Sequence, residues 1–261
     1  MITIPVKVKD RLICGIKKFQ PIIARAKDKD INESDTVTIV TDIFESIFGY
    51  EKISEITSEL AIKKTFCDLA VKLDGIIRLL IEVKAAGIDL KEQHMQQAVN
   101  YGSNSGLDWV ILTNGVKWKV YKITFAKPID TELVYEFDFS HLSTKKQSDL
   151  EMLYYLTREA MGKSSKNSLE DLHTQKMLVN KFVVGQILLS EPIANVVRKI
   201  LKGMSADAKV TNEEIQQLIE DEIVKREVLD GEKATEAKKR VHKALMPPKP
   251  KHPAELPLTK E

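Results

Sequence analysis

The spacing of apolar residues predicts two helices at the start of the chain. Residues 8–27 follow a helical pattern, which we expect to break at Pro21 because proline lacks an amide hydrogen. A clearer helix follows, in which apolar residues recur at intervals of three and four positions. Its expected N-cap is Asn32 or Ser34, and it is expected to end near Gly49.

Short apolar segments rich in β-branched residues predict four strands after these helices. They cover residues 65–73, 76–84, 109–113 and 117–123. Asn114-Gly115 is expected to join the last two strands. Between the two pairs, a helix is predicted to begin at Asp89, with Glu92 in the capping-box position, and to run to about Tyr101.

Beyond residue 138 the pattern is helical. Helical periodicity covers residues 150–161, 169–189, 193–204 and 211–229, the last with a capping box of Thr211 and Glu214. We therefore expect a first domain over residues 1–145 and a helical domain over residues 146–245. A Pro/Lys-rich tail over residues 246–261 has too little apolar content to order itself.

Composition and charge exclude several classes of protein. No apolar run approaches the roughly 20 residues that span a bilayer, and the N-terminus lacks a signal peptide, so we expect a cytoplasmic protein without membrane contact. Cys14 and Cys67 give neither a disulfide framework nor the spacing of metal ligands. The net charge of +2 neither indicates nor excludes a nucleic-acid partner. The most basic stretch, residues 233–251, fits a solvated helix end or a contact with phosphate.

The two strands on either side of Asp74-Gly75 carry the candidate chemistry. A two-residue turn would mix polar and apolar side chains on both faces, whereas a three-residue loop over residues 74–76 makes one face wholly apolar. We therefore expect the three-residue loop. On the polar face this register places Asp68 directly opposite Glu82, and Lys84 projects from the same face two residues further on.

Facing carboxylates repel each other, and a divalent cation between them turns that repulsion into coordination. Mg²⁺, with Mn²⁺ as a substitute, would neutralise phosphoryl oxygens, while Lys84 orients the attacking water and stabilises developing charge. Such a set suits phosphodiester hydrolysis without a Ser, Cys or His nucleophile. For an isolated motif of this kind, a charged surface hairpin without a catalytic role is the alternative.

Four motifs resemble the N-terminal nuclease domain of type I restriction enzyme R subunits, a branch of the PD-(D/E)xK superfamily, in both order and spacing. They are Phe66–Val71, Ile81–Lys84, Gln97–Tyr101 and Leu112–Trp118. The resemblance covers roughly residues 30 to 140. It implies an α/β fold: a restriction-endonuclease-like core, with a mixed four- to five-stranded sheet flanked by helices, followed by a helical C-terminal region.

The resemblance also implies roles for particular residues. Asp68 and Glu82 occupy the acidic metal and catalytic positions, and Lys84 is the catalytic lysine. Gln97 and Tyr101 lie four residues apart on one helix face and support DNA binding and cleavage.

The resemblance further implies that a glutamate near the start of the family's first helix completes the acidic cluster. Glu33 is the candidate for this third metal ligand, because it shares a helical face with apolar residues and points toward the core. Glu45 and Glu59 are rivals, and a charge interacting with the helix dipole is the alternative for Glu33.

The chain departs from the family in one respect. Gly162-Lys163-Ser164 lacks the leading glycine of a phosphate-binding loop, because Thr157 stands at that position, so the ATPase motor is not expected. The sequence therefore predicts a stand-alone endodeoxyribonuclease of restriction, phage defence or a mobile element. DNA is the expected partner, and the C-terminal helices could mediate homo-oligomerisation or bind a partner protein. The alternatives are a non-catalytic nucleic-acid-binding or regulatory module and an interaction protein built on those helices.

Overall fold

A computed structural model describes residues 2–62, 65–125, 129–162, 168–205, 207 and 209–246. The chain divides into one compact unit over residues 1–174 and a second over residues 175–261. This division lies beyond the predicted boundary near residue 145, because Leu150 and Leu153 belong to the core of the first unit. The predicted tail lies outside the described residues from position 247 onward.

The first unit combines helices with a single sheet. Its helices are α1 (Val6–Asp28), α2 (Glu33–Ile43), α3 (Glu92–Ser105), α4 (Gln147–Tyr154), α5 (Arg158–Met161) and the start of α6 (Leu169–Leu178). A π-helical turn, Phe44–Phe48, follows α2, and a 3-10 turn covers Phe139–His141. The strands are β1 (Ile56–Ile62), β2 (Thr65–Leu73), β3 (Ile76–Val83), β4 (Trp109–Thr113), β5 (Lys117–Thr124) and β6 (Asp130–Asp138).

The described strands form one six-stranded sheet in the order β1-β2-β3-β4-β5-β6. β3 and β4 are parallel, and every other neighbouring pair is antiparallel. A mixed sheet flanked by helices is confirmed, but the predicted number of four to five strands is wrong. The missed strands, β1 and β6, are the two edges, where polar side chains such as Ser58 and Glu136 face solvent and interrupt the apolar pattern.

Each face of the sheet is covered by a different helical layer. One face buries Leu69, Val71, Leu79 and Ile81 in the core shared with α1 and α2, as predicted from the hairpin pattern. The opposite face packs Leu80 and its neighbours against α3. The hairpin therefore has an apolar side and a second side on which polar groups can lie beside α3.

The first two helices differ from the sequence prediction at one point. α1 runs through Pro21 without the predicted break, and its buried stripe continues from Phe19 to Ile23 on both sides of the proline. Burial of this stripe offsets the loss of one backbone hydrogen bond. Asn32 caps α2 by accepting a 2.9 Å hydrogen bond from the Asp35 amide, as predicted. Gly49, with φ +82°, ends the segment.

The predicted N-terminus of α3 is wrong. The helix begins at Glu92, and its N-cap, Lys91, donates its amide to Nδ1 of His94 over 3.2 Å. Asp89 instead lies 3.7 Å from the Lys117 ammonium. At its other end α3 continues past Tyr101 to Ser105, so the helix is longer than the pattern indicated.

Asn114-Gly115 joins β4 to β5, as predicted. Oδ1 of Asn114 accepts hydrogen bonds from the amides of Val116 and Lys117, and Gly115 has φ +80°. The indole of Trp118 donates to the Gly115 carbonyl over 2.9 Å. These bonds fix the connection at the end of β4.

The second unit is helical in its described residues, which confirms the predicted helical C-terminal region. It contains the end of α6, then α7 (Lys181–Leu188), α8 (Glu191–Met204), α9 (Asn212–Leu218), α10 (Arg226–Leu229) and α11 (Glu232–Leu245), with a π-helical turn at Ile219–Ile223. The capping box of Thr211 and Glu214 is confirmed by reciprocal hydrogen bonds of 3.2 and 2.9 Å. Among the described residues, no helix has the length and apolar character needed to cross a bilayer.

Candidate metal and catalytic site

The turn between β2 and β3 has two residues, not the predicted three. Asp74 and Gly75 both have positive φ values, +52° and +74°, and Leu73 pairs directly with Ile76. Positive φ at both central residues is the geometry that matches the twist of a two-residue hairpin. The predicted loop is therefore wrong at the turn itself.

A bulge in β3 restores the predicted register further along the hairpin. Lys72 pairs with Ile77 but Val71 pairs with Leu79, so Arg78 is an extra residue on β3. The following pairs, through Leu69 with Ile81, are those that the pattern predicts. The bulge thus returns the apolar side chains to one face despite the shorter turn.

Glu82 and Lys84 lie together at the end of β3. The Lys84 ammonium is 2.6 Å from Oε1 of Glu82 and 3.5 Å from Oε2 of Glu33. Glu82 is only 2% exposed, whereas the side chain of Glu33 is 48% exposed. The lysine therefore lies between a buried carboxylate from the sheet and a surface carboxylate from the first residue of α2.

Asp68 is fixed on the neighbouring strand. Its Oδ2 accepts a 2.7 Å hydrogen bond from the Val83 amide, which ties the carboxylate to the same end of β3. Burial raises the pKa of Asp68, while the Val83 hydrogen bond and the charge of Lys84 oppose that rise. The pKa values of Asp68, Glu82 and Lys84 each respond to the other two residues and to the charge of Glu33, so the structure brings these four predicted residues together.

The pKa of the Glu82 carboxyl group is strongly raised. Burial raises its pKa to about 7, and the nearby charge of Asp68 adds to the rise, although the hydrogen bond from Lys84 opposes it. Its second oxygen, Oε2, is buried and has no hydrogen-bond partner among the described residues. For Lys84, burial lowers the pKa, but the hydrogen bond and charge of Glu82 outweigh burial and raise it overall. Lys84 therefore stays protonated at neutral pH.

Glu33 is better placed to be the third acid of the site than Glu45 or Glu59, the other two candidates. Glu33 contributes to the electrostatic environment of Asp68, Glu82 and Lys84 alike. Glu45 instead raises the pKa of Lys52, and Glu59 is an exposed residue with φ +50° on the edge strand β1. Glu33 does not point into the core as the helical face suggested. It reaches Lys84 from the solvent-exposed start of α2.

Gln97 and Tyr101 form a pair on α3. The Gln97 amide donates to the Tyr101 hydroxyl over 3.1 Å, and Tyr101 is buried against the sheet. Within the described part of the chain, no hydrogen bond or ion pair links this pair to Lys84 or the carboxylates.

His94, one helical turn earlier on α3, had no role in the sequence prediction. Burial lowers its pKa, and the positive charges of Lys84 and Lys91 add to the shift. The imidazole therefore lies within electrostatic reach of the carboxylate and lysine group. Its position one turn before Gln97 is the signal in the sequence that could have drawn attention to it.

The group lies where the two parallel strands of the sheet end. The Lys84 amide donates to the Thr113 carbonyl of β4 over 2.8 Å, and Asn114 donates from its side chain to the Ile88 carbonyl over 2.8 Å. These bonds hold the connection after β3 against the end of β4. Carboxyl ends of parallel strands are the usual location of ligand sites in open α/β sheets.

The donor set fits a hard divalent cation. Asp68, Glu82 and Glu33 supply only carboxylate oxygens, which Mg²⁺ and Mn²⁺ prefer, and the unpartnered Oε2 of Glu82 is an acceptor that a cation would satisfy. Nevertheless, no three His, Cys, Asp or Glu residues in the described ranges are already arranged to hold an ion. The Lys84 ammonium lies between Glu82 and Glu33 and contacts both carboxylates.

Comparison with known proteins gives one match. Searches of curated proteins and of solved structures found no similar protein. Residues 48–135 match the family described as "Type I restriction enzyme R protein N terminus". The matched segment contains Asp68, Glu82, Lys84, Gln97 and Tyr101, whereas Glu33 precedes it. The resemblance seen in the motifs is therefore confirmed over residues 48–135, the part of the chain that is similar to the type I restriction enzyme R protein N terminus.

Proposed function

We propose that this chain is a metal-dependent endodeoxyribonuclease with a restriction-related role. The observation that carries the proposal is the convergence of Lys84 with Glu82, Asp68 and Glu33 at the ends of β3 and β4, within or beside the family segment. Three acids and one ammonium in this arrangement suit hydrolysis of a phosphodiester. The family match supports the restriction-related role, and DNA is the proposed substrate.

Asp68, Glu82 and Glu33 would hold Mg²⁺. When bound, this cation neutralises charge on the phosphoryl oxygens and lowers the pKa of water. The Val83 amide keeps the Asp68 carboxylate oriented by its 2.7 Å hydrogen bond. Burial of Glu82 removes competing water from its carboxylate, so its negative charge acts in a medium of low dielectric constant.

Lys84 supplies the proton donors of the site. Its ammonium is held charged by Glu82 and is mostly buried, with a side chain only 12% exposed. A protonated amine here can donate to an oxygen of the scissile phosphate and to the attacking water, which orients both groups. On α3, we propose that the Gln97 and Tyr101 pair supports the DNA backbone near the site, since an amide and a phenol can both donate to phosphate.

Cleavage of supercoiled plasmid DNA with Mg²⁺ or Mn²⁺ tests the proposal. The wild type should nick or linearise the plasmid, and EDTA should abolish the activity. Lys84→Ala should lose at least about 100-fold of it, because the charge-stabilising donor is gone. Lys72→Ala, on the same hairpin, is the matched control and should cleave like the wild type. Equal cleavage by Lys84→Ala and the wild type would remove Lys84 from the mechanism.

A non-catalytic DNA-binding module is the second candidate. It is favoured by the contacts of Lys84 with both Glu82 and Glu33, because the ammonium offsets part of their negative charge without any metal. In that case the chain would bind DNA in a salt-dependent manner but would not nick it under any divalent ion. A metal titration separates the candidates, since only the nuclease requires the carboxylates to bind Mn²⁺.

A further inference from the structure

The second unit buries little apolar surface for its size. Between α7 and α11 the cluster of buried residues consists of Val183, Ala237 and Val241. Between α8 and α9 a separate set forms, centred on Ala194 and Ile215. Small, divided clusters of this kind stabilise a helical unit weakly, so further apolar burial is expected from a partner.

One helix of this unit, α8, carries an exposed apolar stripe. Val196, Ile200 and Met204 are spaced by four residues and therefore share one helix face. They are 54%, 60% and 79% exposed. The adjacent face of the same helix, with Ala194 and Leu201, already packs on α9. An exposed stripe continuous with a packed face is typical of a protein interaction surface.

Complementary charges accompany the exposed apolar residues. Lys199 and Lys202 lie on α8 beside the stripe, whereas the turn Ile219–Ile223 carries three consecutive acids next to exposed Leu218 and Ile223. In the described part of the chain, neither the two lysines nor those three acids form an ion pair. The unit therefore presents one basic and one acidic apolar surface, both with unpaired charges.

We propose that the α8 stripe docks on a second copy of this chain, so that residues 175–246 act as a self-association unit. The basic surface and the acidic surface lie on the same chain, so two copies can pair them with each other. A second copy brings its acidic turn, Ile219–Ile223, to the basic edge of α8, and two-fold symmetry repeats the contact. An assembly of two chains would also carry two nuclease sites, although the association does not depend on the proposed nuclease activity.

Sedimentation velocity on the full chain, without DNA or metal, tests the proposal. The wild type should change from monomer to dimer between about 1 and 50 μM, as expected for a micromolar affinity. Ile200→Glu should weaken association at least tenfold. Gln217→Glu, which adds the same charge at an exposed polar position of α9, is the control and should associate like the wild type. A wild type that stays monomeric at 100 μM (roughly 100-fold above a micromolar Kd) would overturn the proposal, including the case in which other residues of the same chain cover the stripe.

A charge-reversal series tests the choice of partner surface. Lys199→Glu with Lys202→Glu should weaken the dimer, and adding Glu220→Lys with Glu222→Lys should restore it, because the pairing is then reversed on both sides. Circular dichroism checks that each variant keeps its helices. If Ile200→Glu fails to fold, Val196→Ser with Met204→Ser replaces it at positions already exposed. An unchanged affinity after reversal of the two lysines would overturn docking on the acidic turn. Because cleavage is not measured, failure here leaves the nuclease proposal untouched.

Discussion

The Lys84 ammonium lies 2.6 Å from Oε1 of Glu82, a carboxylate that we propose as a metal ligand. The same ammonium is 3.5 Å from Oε2 of Glu33. The ammonium therefore offsets part of the negative charge of these two carboxylates. If Glu82 holds Mg²⁺ as proposed, Lys84 and the cation would compete for its carboxylate.

Replacing Lys84 with Met should separate metal binding from cleavage. The methionine keeps most of the apolar stem but removes the positive charge that repels the cation and occupies Glu82. We expect Lys84→Met to bind Mn²⁺ several-fold more tightly than the wild type while losing cleavage. Isothermal titration calorimetry measures the affinity, with Lys72→Met as the control. Weaker Mn²⁺ binding by Lys84→Met would show that the ammonium supports the metal site instead of competing for it.

Glu82→Gln should stabilise the metal-free protein in a pH-dependent manner. Burial raises the pKa of Glu82 to about 7 from an ordinary value of 4.5, so ionisation of this carboxyl costs folding free energy. The cost is absent below about pH 4.5, grows as the pH rises through 7 and is complete above it. At pH 8 the wild type should therefore be less stable than Glu82→Gln, by on the order of 3 kcal/mol.

Thermal unfolding in EDTA at pH 5 and pH 8 measures this difference. The Tm advantage of Glu82→Gln should be large at pH 8 and small at pH 5. Saturating Mg²⁺ should raise the Tm of the wild type and leave that of the variant nearly unchanged, because binding to the native state stabilises it. An equal advantage at both pH values would mean that the substitution acts through packing and not through the charge of Glu82.

The strands could be predicted from the sequence where they are buried on both sides. β4, Trp109–Thr113, is buried at every position and gives an uninterrupted apolar run. The edge strands β1 and β6 could not be found in this way, because exposed polar side chains such as Ser58 and Glu136 interrupt their apolar pattern. Residue alternation also could not reveal the bulge at Arg78, since a two-residue turn with a bulge and a three-residue loop give the same pairs beyond it.

In the candidate site, the residues of one hairpin could be predicted from the sequence, whereas a contact between residues far apart in the sequence could not. Asp68, Glu82 and Lys84 follow from a single hairpin, whose period of two residues places them on one face. The contact of Glu33 with Lys84 joins residues 51 positions apart. Periodicity on α2 predicts which helix face carries Glu33, but it does not predict where the start of the helix lies relative to the sheet. The residues that contact Glu33 could therefore be identified only from the structure.

Substitutions of Gly75 test the two-residue turn between β2 and β3, which the alternation of polar and apolar residues did not predict. Its φ of +74° is in the left-handed region, and an added Cβ would meet no atom within 4 Å, so substitution acts on the backbone alone. Gly75→Ala should lower the stability by about 1 kcal/mol, whereas Gly75→Asn should cost less because asparagine tolerates this conformation. Urea unfolding measures both. Equal stability of Gly75→Ala and the wild type would argue against a two-residue turn with positive φ.

The three candidate upstream acids can be ranked by one set of matched variants. Glu33 is the one in contact with Lys84, so Glu33→Gln should weaken Mn²⁺ binding about 10-fold. Glu45→Gln and Glu59→Gln make the same chemical change where the carboxylate does not reach Asp68 or Glu82, and both should bind Mn²⁺ like the wild type. Because Glu33 is half exposed, the three variants should unfold within about 0.5 kcal/mol of one another, which separates loss of a ligand from loss of the fold. If Glu59→Gln weakened binding more than Glu33→Gln, the third ligand would come from the edge strand β1, and the cation would lie on the Asp68 side of Glu82.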